Sequence, residues 1–189
     1  MARPGTMAII AGGMLAGLIT AAAALWWVAE GASLRHGPWR SSLFPGVVDL
    51  DPYSRAVVAL RGAAALHHAD AVYFIATEDE TGAALSPRCD YRLDGRDLPA
   101  RWWSIHLGNQ DLALTSGGKS VDRGSVVRGA DGAYTIHVGP TRRDGNWLAT
   151  GGVDGAFSIH VHLYRPETAA MLDRGGPALP RLVREGCAS

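Results

Sequence analysis

The sequence predicts a mainly β domain, an antiparallel sandwich or barrel with one or two flanking helices, behind an N-terminal transmembrane helix. Three observations carry this. Several short segments beyond residue 70 alternate apolar and polar residues with a period of two. Turn residues separate those segments, the pattern of stacked or closed antiparallel sheets. A charge-free apolar run of 22 residues, Met7 to Val28, precedes them all. The chain divides accordingly into an anchor over 1–30, a linker over 31–48 and a β domain over 49–189.

At 1.5 Å per residue, a helix over Met7–Val28 spans roughly 33 Å, enough for a hydrocarbon core of about 30 Å. Trp26 and Trp27 close the run, where indoles favour the headgroup zone. Ala22-Ala23-Ala24 offers a small-residue cleavage site, so a cleaved signal is the competing reading. The run is longer than the roughly 7–15 apolar residues of a signal, and it continues past that site; an uncleaved anchor is the expectation. Arg3 lies before the span, and Glu30, Arg35 and Arg40 follow it, so flanking charge leaves orientation almost tied. A very short tail can stay inside while a large domain is exported. The expectation is a bacterial inner-membrane protein with a cytoplasmic N-terminus and a periplasmic or extracellular domain.

Two cysteines, Cys89 and Cys187, support that orientation, because an even count in an exported domain suggests one disulfide. Closing a loop of about 100 residues stabilises by on the order of 4 kcal/mol in the chain-entropy account. The 18 basic and 18 acidic residues cancel, which argues against a general nucleic-acid partner.

Along the chain, Asp51 and Pro52 form a helix start, and Tyr53, Val57, Leu60 and Ala64 sustain helical spacing to about residue 66. His67 and His68 then fall at the solvated helix end. Strands are expected at 71–77, closed by a turn at Asp79-Glu80-Thr81-Gly82, and at 89–95, 101–107, 111–116 and 132–139. Asp131-Gly132 reads as a tight hairpin turn. The clearest alternation is AFSIHVHLY, with Phe157, Ile159, Val161 and Leu163 on one face and Ser158, His160, His162 and Tyr164 on the other. A short helix is expected from Glu167 to Arg174, followed by a proline-containing tail.

In order, DPYSRAVVALRG, AVYFIATEDETG, CDYRLDGRDLPARWWSIHL, NWL and FSIHVHLYRP resemble the family called domain of unknown function 1214. The likeness runs from about Asp51 to Pro166. Its markers are Leu98-Pro99-Ala100-Arg101-Trp102-Trp103-Ser104, Asn146-Trp147-Leu148, and Tyr164 followed by Pro166. The resemblance implies a jelly-roll-like β-sandwich, in bacteria often a short form behind one membrane helix. It implies no activity. The family pattern has an arginine where this chain has His162, so no role tied to that arginine carries over.

The histidines are the most informative polar residues. His137, His160 and His162 each fall opposite the apolar face of their strand, and His106 shares its phase with Trp102 and Ser104. If the strands are neighbours, the imidazoles converge, and an H-x-H pair on a strand is a half-site for zinc or another divalent metal. Gly155, His160, His162 and Glu167 also resemble the first cupin motif, although the glycine-to-histidine spacing is one residue short and Pro166 interrupts the strand before Glu167. No second motif follows. The competing reading is a solvated sheet face, where polar residues alternate anyway, and no cofactor beyond a divalent metal is suggested.

Other chemistry finds little support. Gly117-Gly118-Lys119-Ser120 ends like a phosphate-binding loop, but Ala113 stands where an earlier glycine belongs, and a turn-like segment follows where a helix is needed. There is no G-x-S-x-G elbow, and acidic residues stand singly at turns. Strand alternation puts Trp102 and Trp103 on opposite faces, so one joins the core; Trp102, with Tyr164, is the candidate to line a ligand cleft.

The leading expectation is a non-enzymatic, membrane-tethered envelope module binding a saccharide or a partner protein. One alternative is a cupin-like metal enzyme using His160 and His162, with Glu167, His106 or His137 as further ligands. The other is a structural subunit of an envelope complex, docked through small residues of the span such as Gly12, Gly13, Ala16 and Gly17.

Overall fold

A computed structural model of the chain describes residues 4–31, 33–42, 52, 56, 69–109, 120–153, 155–167 and 177–188. The expected strand at 111–116 lies outside these residues, as do the helix over 52–66 (apart from Pro52 and Ala56) and the helix over 167–174 (apart from Glu167). Helix α1 runs Pro4–Gly31. Its segment Gly5–Trp27 is long and apolar enough to cross a membrane, with its side chains outside the folded body. By length and composition it suits a single-pass anchor or a signal sequence.

The fold is mainly β, two sheets in a sandwich-like arrangement. One sheet has the order β1-β2-β3-β9-β5-β6 and the other β10-β4-β7-β8. In the first, β1 is Ser33–His36, β2 Trp39–Ser42, β3 Ala71–Ala76, β5 Ala100–Gly108, β6 Val121–Asp122 and β9 Ser158–Pro166. In the second, β4 is Cys89–Gly95, β7 Tyr134–Gly139, β8 Asn146–Ala149 and β10 Arg181–Cys187. Inward-facing Phe74, Trp103, Ile105, Val161 and Leu163 meet Tyr91, Leu93, Ile136, Val138, Leu148 and Leu182 in one core. The phase predicted for β9 is observed: Ile159, Val161 and Leu163 are each 0% exposed. Tyr91 and Phe157 meet edge-on at 5.9 Å, one of the ring contacts that join the sheets.

Several features differ from the sequence reading. Within the expected linker, residues 33–42 form a hairpin whose second strand pairs with β3. Gly37, at φ +59°, opens its turn, and buried Trp39 donates from Nε1 to the Pro180 carbonyl at 2.8 Å. One tryptophan among Gly, Pro and Ser residues shows no periodicity, so the sequence hid this strand. Second, β7 and β8 pair in parallel within otherwise antiparallel sheets. Third, the Asp131-Gly132 turn closes only a local loop, with Gly129 N donating to Ala133 O at 2.8 Å. The strands flanking it, β6 and β7, belong to different sheets.

The C-terminal tail is a strand. β10 lies in register with β4, Cys187 opposite Cys89, and a disulfide joins the two. The acidic turn Glu78-Asp79-Glu80 holds the outer strands to the body: Arg35 and Arg40 reach Glu78, Arg184 reaches Asp79, and Arg181 reaches Glu80.

Candidate functional site

Strand β9 lies between β3 and β5, so residues of three strands share the sheet face turned away from the core. Its register places His160 opposite His106, His162 opposite Ser104 and Tyr73, and Tyr164 opposite Trp102. The phase of each strand was legible, but the order of strands brings the groups together.

His106, His160 and His162 form a compact trio, each offering a ring nitrogen within 4.8 Å of the other two. The His106 ring stacks on His160 at 5.6 Å between centroids and meets His162 edge-on at 4.3 Å. Tyr73 packs edge-on against His162 at 4.3 Å, and the Tyr164 hydroxyl lies 3.4 Å from His162 Nδ1. His160 is only 3% exposed. Its Nε2 lies 2.8 Å from Ser158 Oγ, which donates to the Asn109 carbonyl at 3.2 Å. A hydroxyl has one proton, so both bonds are made together only when His160 Nε2 carries a proton and Nδ1 is bare. Among the described residues His106 Nε2 is buried without a hydrogen-bond partner. Gly108 makes the approach possible: a Cβ there would collide with His160 Nε2 and meet Ser158 Oγ at 2.7 Å.

Burial disfavours imidazolium and holds His106 below its ordinary value. Burial, reinforced by His106, brings His160 down to about 4. Burial, with His106 and His160 adding repulsion, brings His162 to about 3. At neutral pH the trio is therefore uncharged, the form in which imidazole binds a metal.

Two histidine-site candidates stand apart. His137 is on β7 in the other sheet, between Arg92 and Trp147, with Nδ1 3.8 Å from Glu185. Glu167 follows Pro166 at the far end of β9 and lines a cleft of about 530 Å³ with Asp97, Arg101, Arg123 and Arg165. Neither joins the imidazole trio, contrary to the convergence read from the sequence.

Trp102 and Tyr164 oppose each other across β5 and β9, 45% and 37% exposed, but neither lines that cleft, which takes only their chain neighbours Arg101 and Arg165. Trp103 is the tryptophan that joins the core, 0% exposed, its Nε1 donating to Asp97 at 2.9 Å. Burial alone would raise the Asp97 carboxyl, but the bonds from Trp103 and Arg123 and the charges of Arg123 and Arg128 hold it below its ordinary value. Arg165 takes φ +48°, a left-handed conformation rare for arginine, while its amide donates to Asp70 O at 2.8 Å. Tyr73, Ser158 and Asp97 were not singled out from the sequence. Their strand phase or turn position was readable, but nothing local names their partners.

No curated protein matches the chain. Among solved structures, the VPA0106 protein of Vibrio parahaemolyticus is similar over 97% of this chain and 46% of its own, at 17% identity and a TM-score of 0.63, a likeness of fold. A protein of Burkholderia cenocepacia described as putative and uncharacterized matches 62% of this chain and 29% of its own, at 23% identity and a TM-score of 0.41. The chain thus spans less than half the length of either. Residues 70–168, more than half of the 189 residues, match the family described as "Protein of unknown function (DUF1214)". On that match the chain belongs to the DUF1214 family.

Proposed function

We propose that the chain is a membrane-anchored envelope protein whose β-sandwich is a non-enzymatic ligand-binding module on the oxidising side of a bacterial inner membrane. The carrying observation is the half-exposed Trp102–Tyr164 pair, whose residues face each other across β5 and β9; the cleft of Asp97, Arg101, Arg123, Arg165 and Glu167 lies beside it and is lined by neither ring. Aromatic rings stack on the apolar faces of sugar rings, while carboxylates and guanidinium groups bond hydroxyls, so an envelope saccharide is the ligand class. Compartment and orientation draw support from the disulfide, which persists where thiols are oxidised, and from the apolar N-terminal helix.

A glycan array probed with the full chain in detergent tests the ligand. Retention of a defined saccharide class, weakened at least about tenfold by Trp102→Ala, supports the reading. A folded chain that retains no glycan sinks it. Protease protection in spheroplasts tests the compartment, and a domain shielded on the cytoplasmic side overturns it.

A further inference from the structure

We infer that His106, His160 and His162 bind one divalent transition-metal ion of the zinc, cobalt, nickel and copper class, leaving coordination positions open toward the outer face. The inference goes beyond the saccharide reading and stands on a separate observation, the imidazole trio.

Donor chemistry comes first. The trio offers three imidazole nitrogens, and among the described residues no carboxylate belongs to the group. Neutral nitrogen donors suit zinc, copper, nickel and cobalt, whereas calcium and magnesium require oxygen. The nearby Asp122, opposite Ser104 on β6, spends its Oδ1 on the Gly124 and Ser125 amides at 2.8 and 2.9 Å.

Geometry agrees. Metal–nitrogen bonds of about 2.0–2.1 Å place tetrahedral ligand nitrogens about 3.3 Å apart. The trio's nitrogens already lie within 4.8 Å, from two adjacent strands in fixed register. Closing the remainder takes side-chain rotation and no change of strand pairing.

Two further features belong to a metal site more than to a solvated sheet face. Among the described residues His106 Nε2 is buried without a hydrogen-bond partner, a loss that a metal–nitrogen bond would make good. His160 Nε2 is held by Ser158 Oγ, itself anchored on the Asn109 carbonyl, and this bond orients the ring. Outer bonds of this kind orient metal-binding histidines. Three protein ligands leave at least one position of a four-coordinate ion for water or an exogenous ligand. Tyr73 and Tyr164 pack against His162.

The test uses the full chain in detergent, without a polyhistidine tag, stripped by chelator and titrated calorimetrically with Zn²⁺, Co²⁺ and Mg²⁺. The expected result is one equivalent of Zn²⁺ or Co²⁺ and none of Mg²⁺. His160→Ala with His162→Ala weakens Zn²⁺ binding more than about 100-fold, and Ser158→Ala weakens it about 10- to 100-fold. His137→Ala, on the other sheet, leaves it unchanged. If the double variant does not fold, the Co²⁺ absorption spectrum of the unaltered chain decides, through bands of a low-coordinate nitrogen site. A folded chain that binds no Zn²⁺ overturns the inference, as does unaltered affinity in the folded double variant or a Co²⁺ spectrum of the hexaaquo ion. Absent metal binding beside intact, Trp102-dependent saccharide binding removes the metal site alone; the converse removes the saccharide reading alone.

Discussion

Arg184 Nε lies 2.8 Å from Asp79 Oδ2, and the carboxylate side chain is 1% exposed against 30% for the arginine. The pair joins C-terminal strand β10 to the turn after β3. Asp79 Oδ1 meanwhile accepts from Thr81 N, Thr81 Oγ and Ala83 N. Removing the carboxylate strands three donors and costs the partly buried guanidinium its ion pair, leaving it the Ala83 and Ala84 carbonyls. Asp79→Ala should cost about 2–4 kcal/mol, read as a lowered urea midpoint with an unchanged m-value.

The same carboxylate sets an acid limit. Burial alone would raise Asp79, but the bonds from Thr81 and Ala83 and the charge of Arg184 hold it below the ordinary value of 3.8. The unfolded chain therefore takes up the proton first. The stability this group contributes is whole above the unfolded value and is lost as pH falls through the lower folded one. Urea midpoints measured down to about pH 3 should fall more steeply in the parent chain than in Asp79→Asn.

The Cys89–Cys187 bond closes a separation of 98 residues, so its loss relaxes the unfolded chain by about 4–5 kcal/mol in the chain-entropy account. Leu182, 0% exposed, and Arg184 still hold the start of β10. Reduction should lower the thermal midpoint and open amide exchange first near Cys187. Equal protection in oxidised and reduced chains would contradict this.

Adjacent tryptophans should differ sharply. Trp103 is 0% exposed and packs on Tyr134 at 5.3 Å, so Trp103→Ala should cost about 3–5 kcal/mol. Trp102 is 45% exposed, and Trp102→Ala should cost about 1 kcal/mol or less. Chemical denaturation of both variants checks the ratio.

Gly108 tests the site's steric logic. A methyl there would collide with His160 Nε2, so Gly108→Ala should cost about 1–3 kcal/mol and displace the imidazole. A shifted His160 side-chain NMR resonance is the readout. An unmoved resonance with full stability would show that the close approach is not required.

The sequence by itself determined the apolar N-terminal helix, the in-or-out phase of β4, β5, β7 and β9, and the turn at Asp79. Each is a local matter: side-chain period, residue charge and turn geometry are set by residues a few positions apart. It also marked the pairing of Cys89 with Cys187, because two cysteines allow one intramolecular bond. Tertiary structure alone decided that β9 lies beside β5, which unites His160 and His162 with His106, and that β7 joins the other sheet, which leaves His137 apart. Strand order is a long-range property, chosen by how two apolar faces bury each other, and identical alternation is compatible with many orders. The hairpin around Trp39 was hidden for the same reason: its burial depends on Pro180, 141 residues away.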